Sequence, residues 1–232
     1  GNLGGNLTGF KETGELCAYL RRGGNGGEAS HILSAAASPG GAFLVAADAG
    51  EDTICKYAID PASGALRPAA VQPEVQVPHG AGPRRLALSP LHRRLYVLCG
   101  SCEILLFAYA PETMELEPLG MRQELTETDG AGDRLGLDMV MTADETGLYV
   151  STGKEDRIDQ YKIQADGSLL LKASFSCGGT WPMSLALSPD GRFLAVANQK
   201  SGTIAVFALE GAAPRQVAER KLQGVSCVKW MG

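Results

Sequence analysis

The chain has 232 residues, of which 30 are glycine, and a net charge of −5, a size that allows one all-β domain or two small domains. It has no run of Lys and Arg and no apolar segment long enough to span a bilayer, so nucleic acid and membranes are excluded as predicted partners. The N-terminus lacks the pattern of a secretory signal, and we expect a cytoplasmic protein.

Short apolar runs bounded by Gly, Pro, Asp and Ser follow one another along the chain, a pattern typical of strands and turns. Four segments repeat the same order of parts: an apolar strand, a turn like Ser-Pro-x-Gly, a second apolar strand, a polar turn and a third strand that carries an aromatic residue. The first turns of these segments begin at Ser38, Ser89, Thr142 and Ser188. This spacing indicates a repeat of about fifty residues.

A repeat of this length predicts a four-stranded antiparallel sheet, which is one blade of a β-propeller. A solenoid of stacked sheets is the competing architecture. Strands that are apolar on both faces, such as 203–209, favour blades that each pack between two neighbours. We therefore predict an all-β propeller with blades near residues 31–75, 83–130, 136–176 and 182–222.

Two partial units flank these four blades. Residues 14–20 look like the third strand of a blade, and residues 225–230 look like a first strand. Joined together, residues 6–30 and 225–232 would form a composite blade that closes the ring. The sequence thus predicts a single propeller domain over residues 1–232 with about five countable blades.

Cysteine spacing raises the question of a metal site. Cys99 and Cys102 have the spacing of a zinc hairpin, but no second Cys-x-x-Cys and no paired His supplies the other two ligands. The cysteines in or beside predicted strands are interpreted as buried free thiols. We expect neither a metal nor a cofactor.

The segment GAGPRRLAL at residues 80–88 resembles a motif of the lactonase-type propeller family, which includes 6-phosphogluconolactonase-like and muconate cyclase-like proteins. Residues 47–54, 178–182 and 196–199 are similar to three further motifs of that family, in the same order. The family normally has seven blades, so either this ring is shortened or the sequence omits residues. The resemblance implies a hydrolase of carbohydrate metabolism that opens a sugar lactone such as 6-phosphogluconolactone.

The resemblance also implies an anion site at the mouth of the central channel, for a lactone, carboxylate or sugar phosphate. A glycine-rich turn lets backbone N–H groups approach a ligand, and a guanidinium can pair with its carboxylate or phosphate. The candidate substrate-binding residues are His79, Gly80, Gly82, Arg84, Arg85, Asn198 and Gln199. The candidate catalytic residues are Arg84, His31 and Asp48.

Several acid/base positions of the family carry other residues here. Arg85 and Leu33 stand where the family has histidines, Cys99 and Gly100 replace Asn-Glu, and Met183 replaces an arginine. The alternative function is therefore a catalytically eroded propeller that acts as a binding scaffold. In that interpretation Asp48 and Asp52 cap turns by accepting hydrogen bonds from backbone N–H groups, and His79 is exposed.

Overall fold

The computed structural model describes residues 6–10, 16–21, 30–125, 135–211 and 213–231. All regular secondary structure in this part of the chain is β-strand. The chain divides into two compact units, Gly1–Ser101 with Leu105–Arg122, and Cys102–Ile104 with Gln123–Gly232. The predicted all-β class is confirmed.

The first unit begins with a two-stranded antiparallel sheet of β1 (Asn6–Phe10) and β2 (Leu16–Arg21). The next sheet has the order β3-β4-β5-β6, and a further short strand, β7, also pairs with β5. Its strands are β3 (Ile32–Ala37), β4 (Phe43–Asp48), β5 (Thr53–Ile59), β6 (Leu66–Pro68) and β7 (Glu74–Gln76). The outer strand of this blade is thus split into two pieces.

The third sheet has the order β11-β10-β9-β8. Its strands are β8 (Pro83–Ser89), β9 (Arg94–Cys99), β10 (Glu103–Tyr109) and β11 (Leu116–Glu124). The second unit holds two further four-stranded sheets of the same order. Their strands are β12 (Leu135–Met141), β13 (Gly147–Gly153), β14 (Arg157–Ile163), β15 (Leu169–Ser176), β16 (Pro182–Leu187), β17 (Phe193–Asn198), β18 (Thr203–Ala208) and β19 (Arg215–Lys221).

Consecutive sheets contact each other through their first strands. In the first unit β3 contacts β8, and in the second unit β12 contacts β16. Apolar side chains of the middle strands fill the space between the sheets, and one such core includes Ile158, Leu194, Val196 and Phe207. This is how propeller blades pack, because each sheet is apolar on both faces.

The repeated turn owes its sequence to a side chain that accepts a backbone hydrogen bond. The Phe43 N–H donates to Ser38 Oγ at 3.0 Å, and the Phe193 N–H donates to Ser188 Oγ at 2.9 Å. In the third repeat the Gly147 N–H donates to Thr142 Oγ1 at 2.9 Å. A hydroxyl at this position therefore closes the turn between the first two strands.

The predicted strand at residues 225–230 is wrong as secondary structure, because residues 225–231 contain no assigned strand. The segment nevertheless lies beside β16. The Val228 N–H donates to Ser184 Oγ at 3.3 Å, and Trp230 Nε1–H donates to the Ala186 carbonyl at 2.9 Å.

The same side-chain contact joins true first strands elsewhere. The Leu86 N–H donates to Ser34 Oγ at 3.3 Å, and the Leu185 N–H donates to Asp138 Oδ2 at 2.7 Å. Residues 225–231 thus occupy the position of a following first strand. The composite blade itself stays a prediction, as does the single domain. Residues 11–15, 22–29 and 232 of that predicted blade lie outside the described residues.

A buried lysine joins the two large sheets of the first unit. Lys56 on β5 has no exposed surface, and its Nζ donates to Gln72 Oε1 at 3.1 Å and to the Met114 carbonyl at 2.8 Å. Gln72 also bonds Leu116 twice, accepting from its N–H at 2.7 Å and donating to its carbonyl at 2.9 Å. Burial lowers the pKa of Lys56, and nearby Glu115 opposes this shift.

Replacing Gln72 with Ala should reduce the free energy of unfolding by about 2–3 kcal/mol, because Lys56 Nζ and the Leu116 backbone lose buried partners. Urea unfolding of the purified chain measures this loss. Gln199 is exposed, so Gln199→Ala is the matched control and should change stability by less than about 0.5 kcal/mol. Equal losses in the two variants would contradict the proposed importance of Gln72.

Candidate functional site

Each first strand contains a β-bulge at its second residue or close to it. The register shifts between Ile32 and Ser34, Pro83 and Arg85, Gly136 and Asp138, and Pro182 and Ser184. The bulged residues are therefore Leu33, Arg84, Leu137 and Met183. A bulge redirects a side chain and is frequent beside active sites, so these four equivalent positions are candidate sites for chemistry.

Only one of the four bulged residues carries a charge. Leu33, Leu137 and Met183 are apolar, and Leu137 is buried. Sequence comparison had already placed Leu33 and Met183 at positions where the family has polar residues. It missed Leu137, although the repeat spacing that aligns Ser89 with Thr142 would have revealed it. Three of the four equivalent positions can therefore supply no acid, base or charge.

Arg84 is the exception, and its guanidinium is incompletely paired. Its Nε is buried and has no hydrogen-bond partner in the described structure. Burial lowers the pKa of Arg84, and the adjacent Arg85 lowers it further. A partly desolvated guanidinium is a suitable contact for a carboxylate, a phosphate or a developing oxyanion. Because Nε is itself buried, the terminal Nη groups would have to make that contact.

The turn before Arg84 leaves room beside it. Gly80 and Gly82 have φ angles of 77° and 59°, a region that favours glycine. A Cβ at Gly80 would meet no atom within 4 Å, and one at Gly82 would meet only the Gly100 nitrogen at 4.0 Å. The turn is open to solvent or to a ligand on the side where a side chain would project.

The amides of this turn are already used within the protein. The N–H groups of Gly80 and Gly82 donate to the two oxygens of Asp52, at 2.6 and 2.7 Å. His79 is fully exposed, and its Nδ1 lies 3.5 Å from Asp52 Oδ2. The sequence predicted that these amides receive a ligand anion. In the structure the Asp52 carboxylate occupies that position, which corrects the prediction for the amides and confirms that Asp52 caps a turn.

The second unit repeats this arrangement. The Trp181 N–H donates to Asp156 Oδ1 at 2.6 Å, and Asp156 follows β13 as Asp52 follows β4. Both aspartates have positive φ angles, 48° for Asp52 and 54° for Asp156. In each unit a carboxylate from one sheet therefore holds the backbone that leads into the first strand of the next sheet.

Arg85 is also engaged inside the fold. Its Nη1 donates to the Leu33 carbonyl at 2.8 Å, which ties β8 to β3. This contact joins neighbouring first strands and does not depend on a ligand. Arg85 therefore has a structural role in the fold, and its substrate-binding role stays a prediction.

Asp48 and His31 lie together but not as an acid/base pair. The side chain of Asp48 is completely buried, and Oδ1 accepts hydrogen bonds from the N–H groups of His31 and Gly50 at 2.8 and 3.2 Å. Its Oδ2 accepts a hydrogen bond from the Ser30 hydroxyl. Asp48 thus caps a turn, as the alternative interpretation proposed, and its burial argues against a catalytic role. His31 is half-buried at the start of β3.

Asn198 and Gln199 differ in accessibility. Asn198 is completely buried, its Nδ2 donates to the Cys177 carbonyl at 3.0 Å, and its Oδ1 has no partner in the described structure. Gln199 is exposed, and its N–H donates to the Trp181 carbonyl at 2.9 Å. Of these two predicted substrate-binding residues, only Gln199 is accessible.

Two surface cavities of the first unit lie elsewhere, with volumes of about 570 and 260 Å³. They are lined by residues from 75–78 and 105–120, and none of the predicted site residues borders either cavity.

Within the described ranges, no three His, Cys, Asp or Glu side chains are grouped as metal ligands would be. Cys177 is a buried thiol, and burial raises its pKa to about 12. The described part of the chain contains no helix that is long and apolar enough to cross a membrane.

Four-stranded antiparallel sheets whose consecutive first strands touch, each with the same bulge, define the blades of a β-propeller. The family model described as "Lactonase, 7-bladed beta-propeller" matches residues 12–230. The chain belongs to this family, which confirms the resemblance seen in the sequence.

Known proteins of this kind include several lactonases. The chain is 26% identical to the 6-phosphogluconolactonase of Bacillus subtilis over 182 residues, which are 78% of this chain and 50% of the relative. It is 29% identical to the enzyme of that name from Klebsiella pneumoniae, over 69% of this chain and 48% of the relative. The chain thus spans about half the length of these curated relatives.

Among solved structures, the periplasmic gluconolactonase of Pseudomonas aeruginosa superposes with a TM-score of 0.82 at 26% identity. The match covers 94% of this chain and 64% of that structure. A protein from Lactobacillus plantarum has a TM-score of 0.84 at 22% identity, which is similarity of fold alone.

Replacing Asp52 with Ala should lower the free energy of unfolding by about 1.5–3 kcal/mol, the range for hydrogen bonds to a charged group. The loss arises because the amides of Gly80 and Gly82 no longer share a carboxylate. Thermal or urea unfolding provides the measurement. Glu112→Ala removes an exposed carboxylate of the same unit and is the control; a loss no greater than in this variant would refute the role of Asp52.

Proposed function

We propose that this chain is the whole or a part of a lactonase that opens a sugar lactone such as 6-phosphogluconolactone. The observation that carries the proposal is Arg84, a half-buried cation at the bulge of a first strand and beside an open glycine turn. The names of the relatives support the substrate class. The cytoplasmic location stays a prediction, and the gluconolactonase among the neighbours is described as periplasmic.

In the proposed reaction a water oxygen forms a bond to the lactone carbonyl carbon, and the ring C–O bond then breaks. The carbonyl oxygen becomes an oxyanion during the attack, and the Arg84 guanidinium donates hydrogen bonds to it or to the anionic group of the substrate. Arg84 alone can make this contact, so the apolar Leu33 at the other bulged position of the first unit does not prevent it.

A base must take the proton of the attacking water, and His79 is the candidate in the first unit. Asp52 is fixed by two backbone amides and lies 3.5 Å from His79 Nδ1. A carboxylate beside Nδ1 leaves Nε2 as the proton acceptor. His79 would then return the proton to the ring oxygen as it leaves, so the protons balance over the reaction.

A second function is favoured by a different observation. Three of the four bulged residues are apolar, so a propeller that binds an anion without hydrolysing it accounts equally well for Arg84. The binding scaffold and the lactonase differ in what His79 does, because only hydrolysis needs a base.

Replacing Arg84 with Ala should weaken binding of 6-phosphogluconate about ten- to hundredfold, which corresponds to a charge-assisted hydrogen bond of about 1.5–3 kcal/mol. Arg84→Lys should recover part of the affinity, because it restores the charge without the planar fork. Calorimetry measures both. Arg67→Ala removes an exposed arginine of the same unit; if it weakens binding as much as Arg84→Ala, only net charge matters and the site is refuted.

Replacing His79 with Asn should lower kcat for 6-phosphogluconolactone about a hundredfold or more with little change in KM, because an amide can contact Asp52 but cannot accept the proton. Loss of the lactone over time gives the rate. His92→Asn, in the turn after β8 at the opposite end of the sheet, is the control. Unchanged turnover in His79→Asn would exclude His79 as the base, and absence of turnover in the unmodified chain would favour the binding scaffold.

A further inference from the structure

A tryptophan in the second unit is held in an unusual backbone conformation. Trp181 precedes β16 and has a φ angle of 65°, which is rare for a bulky residue. Its N–H donates to Asp156 at 2.6 Å, and its carbonyl accepts from the Gln199 N–H at 2.9 Å. The main chain is thus fixed on both sides, and backbone strain of this kind clusters at functional sites.

The indole ring is fixed as well. It lies against Gly153 so closely that a Cβ there would be 2.9 Å from the Trp181 Cζ3 atom. Gly153 ends β13, so the glycine provides the space that the ring fills. Trp181 therefore has little freedom to rotate away from the end of the neighbouring sheet.

Lys200 is positioned by this ring. Its Nζ lies 3.3 Å from the centroid of the Trp181 ring, which is a close cation–π contact. Lys200 is exposed and forms no ion pair with any acidic residue of the described chain. An ammonium group has three N–H donors, and one ring face cannot engage all of them. The remaining donors of Lys200 therefore face solvent.

Lys200 lies at the end of the blade where β16 begins and where its bulge lies. Lys200 follows β17, and Asn198 of β17 pairs with Pro182 at the start of β16. The bulged Met183 is the next residue. The two bulged residues of the second unit, Leu137 and Met183, are uncharged. Lys200 therefore supplies, beside the start of β16, a cation that neither bulged residue provides.

We propose that Lys200, held on Trp181, is an anion-binding residue that contacts the carboxylate or phosphate of a sugar acid. The sugar acid rests on the proposed function, whereas the anion site does not. A free lysine loses rotamer freedom when it binds a ligand. Here the ring restricts the side chain before the ligand arrives, which reduces that cost.

The experiment uses Trp181 as its own reporter. The chain has two tryptophans, and Trp230→Phe leaves Trp181 as the only one while keeping an aromatic ring beside Phe193. This variant is titrated with 6-phosphogluconate, gluconate and inorganic phosphate, and indole emission and calorimetric heat are both followed. The gluconate and phosphate titrations identify which anionic group binds.

We expect a saturable change in emission, and Lys200→Met should weaken the affinity about three- to fivefold, as for loss of an exposed charge contact. Lys172→Met removes an exposed lysine of β15 in the same unit and should leave the affinity unchanged. Calorimetry is needed beside emission because Lys200→Met alters the surroundings of the indole even without ligand.

The proposal is overturned if Lys200→Met and Lys172→Met bind equally well, or if no saturable signal is seen up to about 10 mM ligand, tenfold above a millimolar Kd. Arg84→Ala in the same background separates the two proposals. Loss of turnover in Arg84→Ala would support the proposed function, and a titration of Trp181 with inorganic phosphate that is unchanged in that variant would support the anion site at Lys200 independently. Loss of the Trp181 signal in Arg84→Ala but not in Lys200→Met would assign the anion to Arg84 alone.

Discussion

The arrangement of this protein depends on carboxylates that reach from one blade to the backbone of the next. Asp52 accepts two amides ahead of β8, and Asp156 accepts one amide ahead of β16. Charge-assisted hydrogen bonds of this kind are directional, so they determine where the next first strand begins. Hydrophobic packing between sheets has no such directionality and could tolerate a shift along the strands.

The bulges depend on that placement. Each first strand has one extra residue near its start relative to the second strand of its sheet. The side chain of this bulged residue does not follow the alternation of faces seen along the rest of the strand. The side chain of the residue after the bulge accepts a hydrogen bond from the backbone of the next sheet. Ser34 accepts from the Leu86 N–H, and Asp138 accepts from the Leu185 N–H. The position that contacts the next sheet therefore follows the bulged position directly in the sequence, and each can change without the other.

This separation allows the residue at a bulge to be apolar while the contacts between blades persist. Leu33, Leu137 and Met183 are apolar at their bulged positions, yet neighbouring first strands within each unit stay in contact. In the first unit the surviving charge is Arg84, and Asp52 and His79 lie at the turn before it. In the second unit Lys200, on the turn after β17, is the cation that we propose binds an anion, and its ammonium group lies on the Trp181 ring.

The sequence by itself determined the blades, because a repeat of strand lengths and turn residues is a local pattern that needs no knowledge of distant contacts. The hydroxyls of Ser38 and Ser188, the all-β class and the family were all accessible from it. Only the tertiary structure decided which polar groups are free. It showed that Asp52 occupies the amides of Gly80 and Gly82, that Arg85 is tied to Leu33, and that Lys200 rests on Trp181. These partners lie about 20 to 50 residues apart in sequence, and nothing in a local pattern specifies which side chain fills a given backbone site until the sheets are packed together.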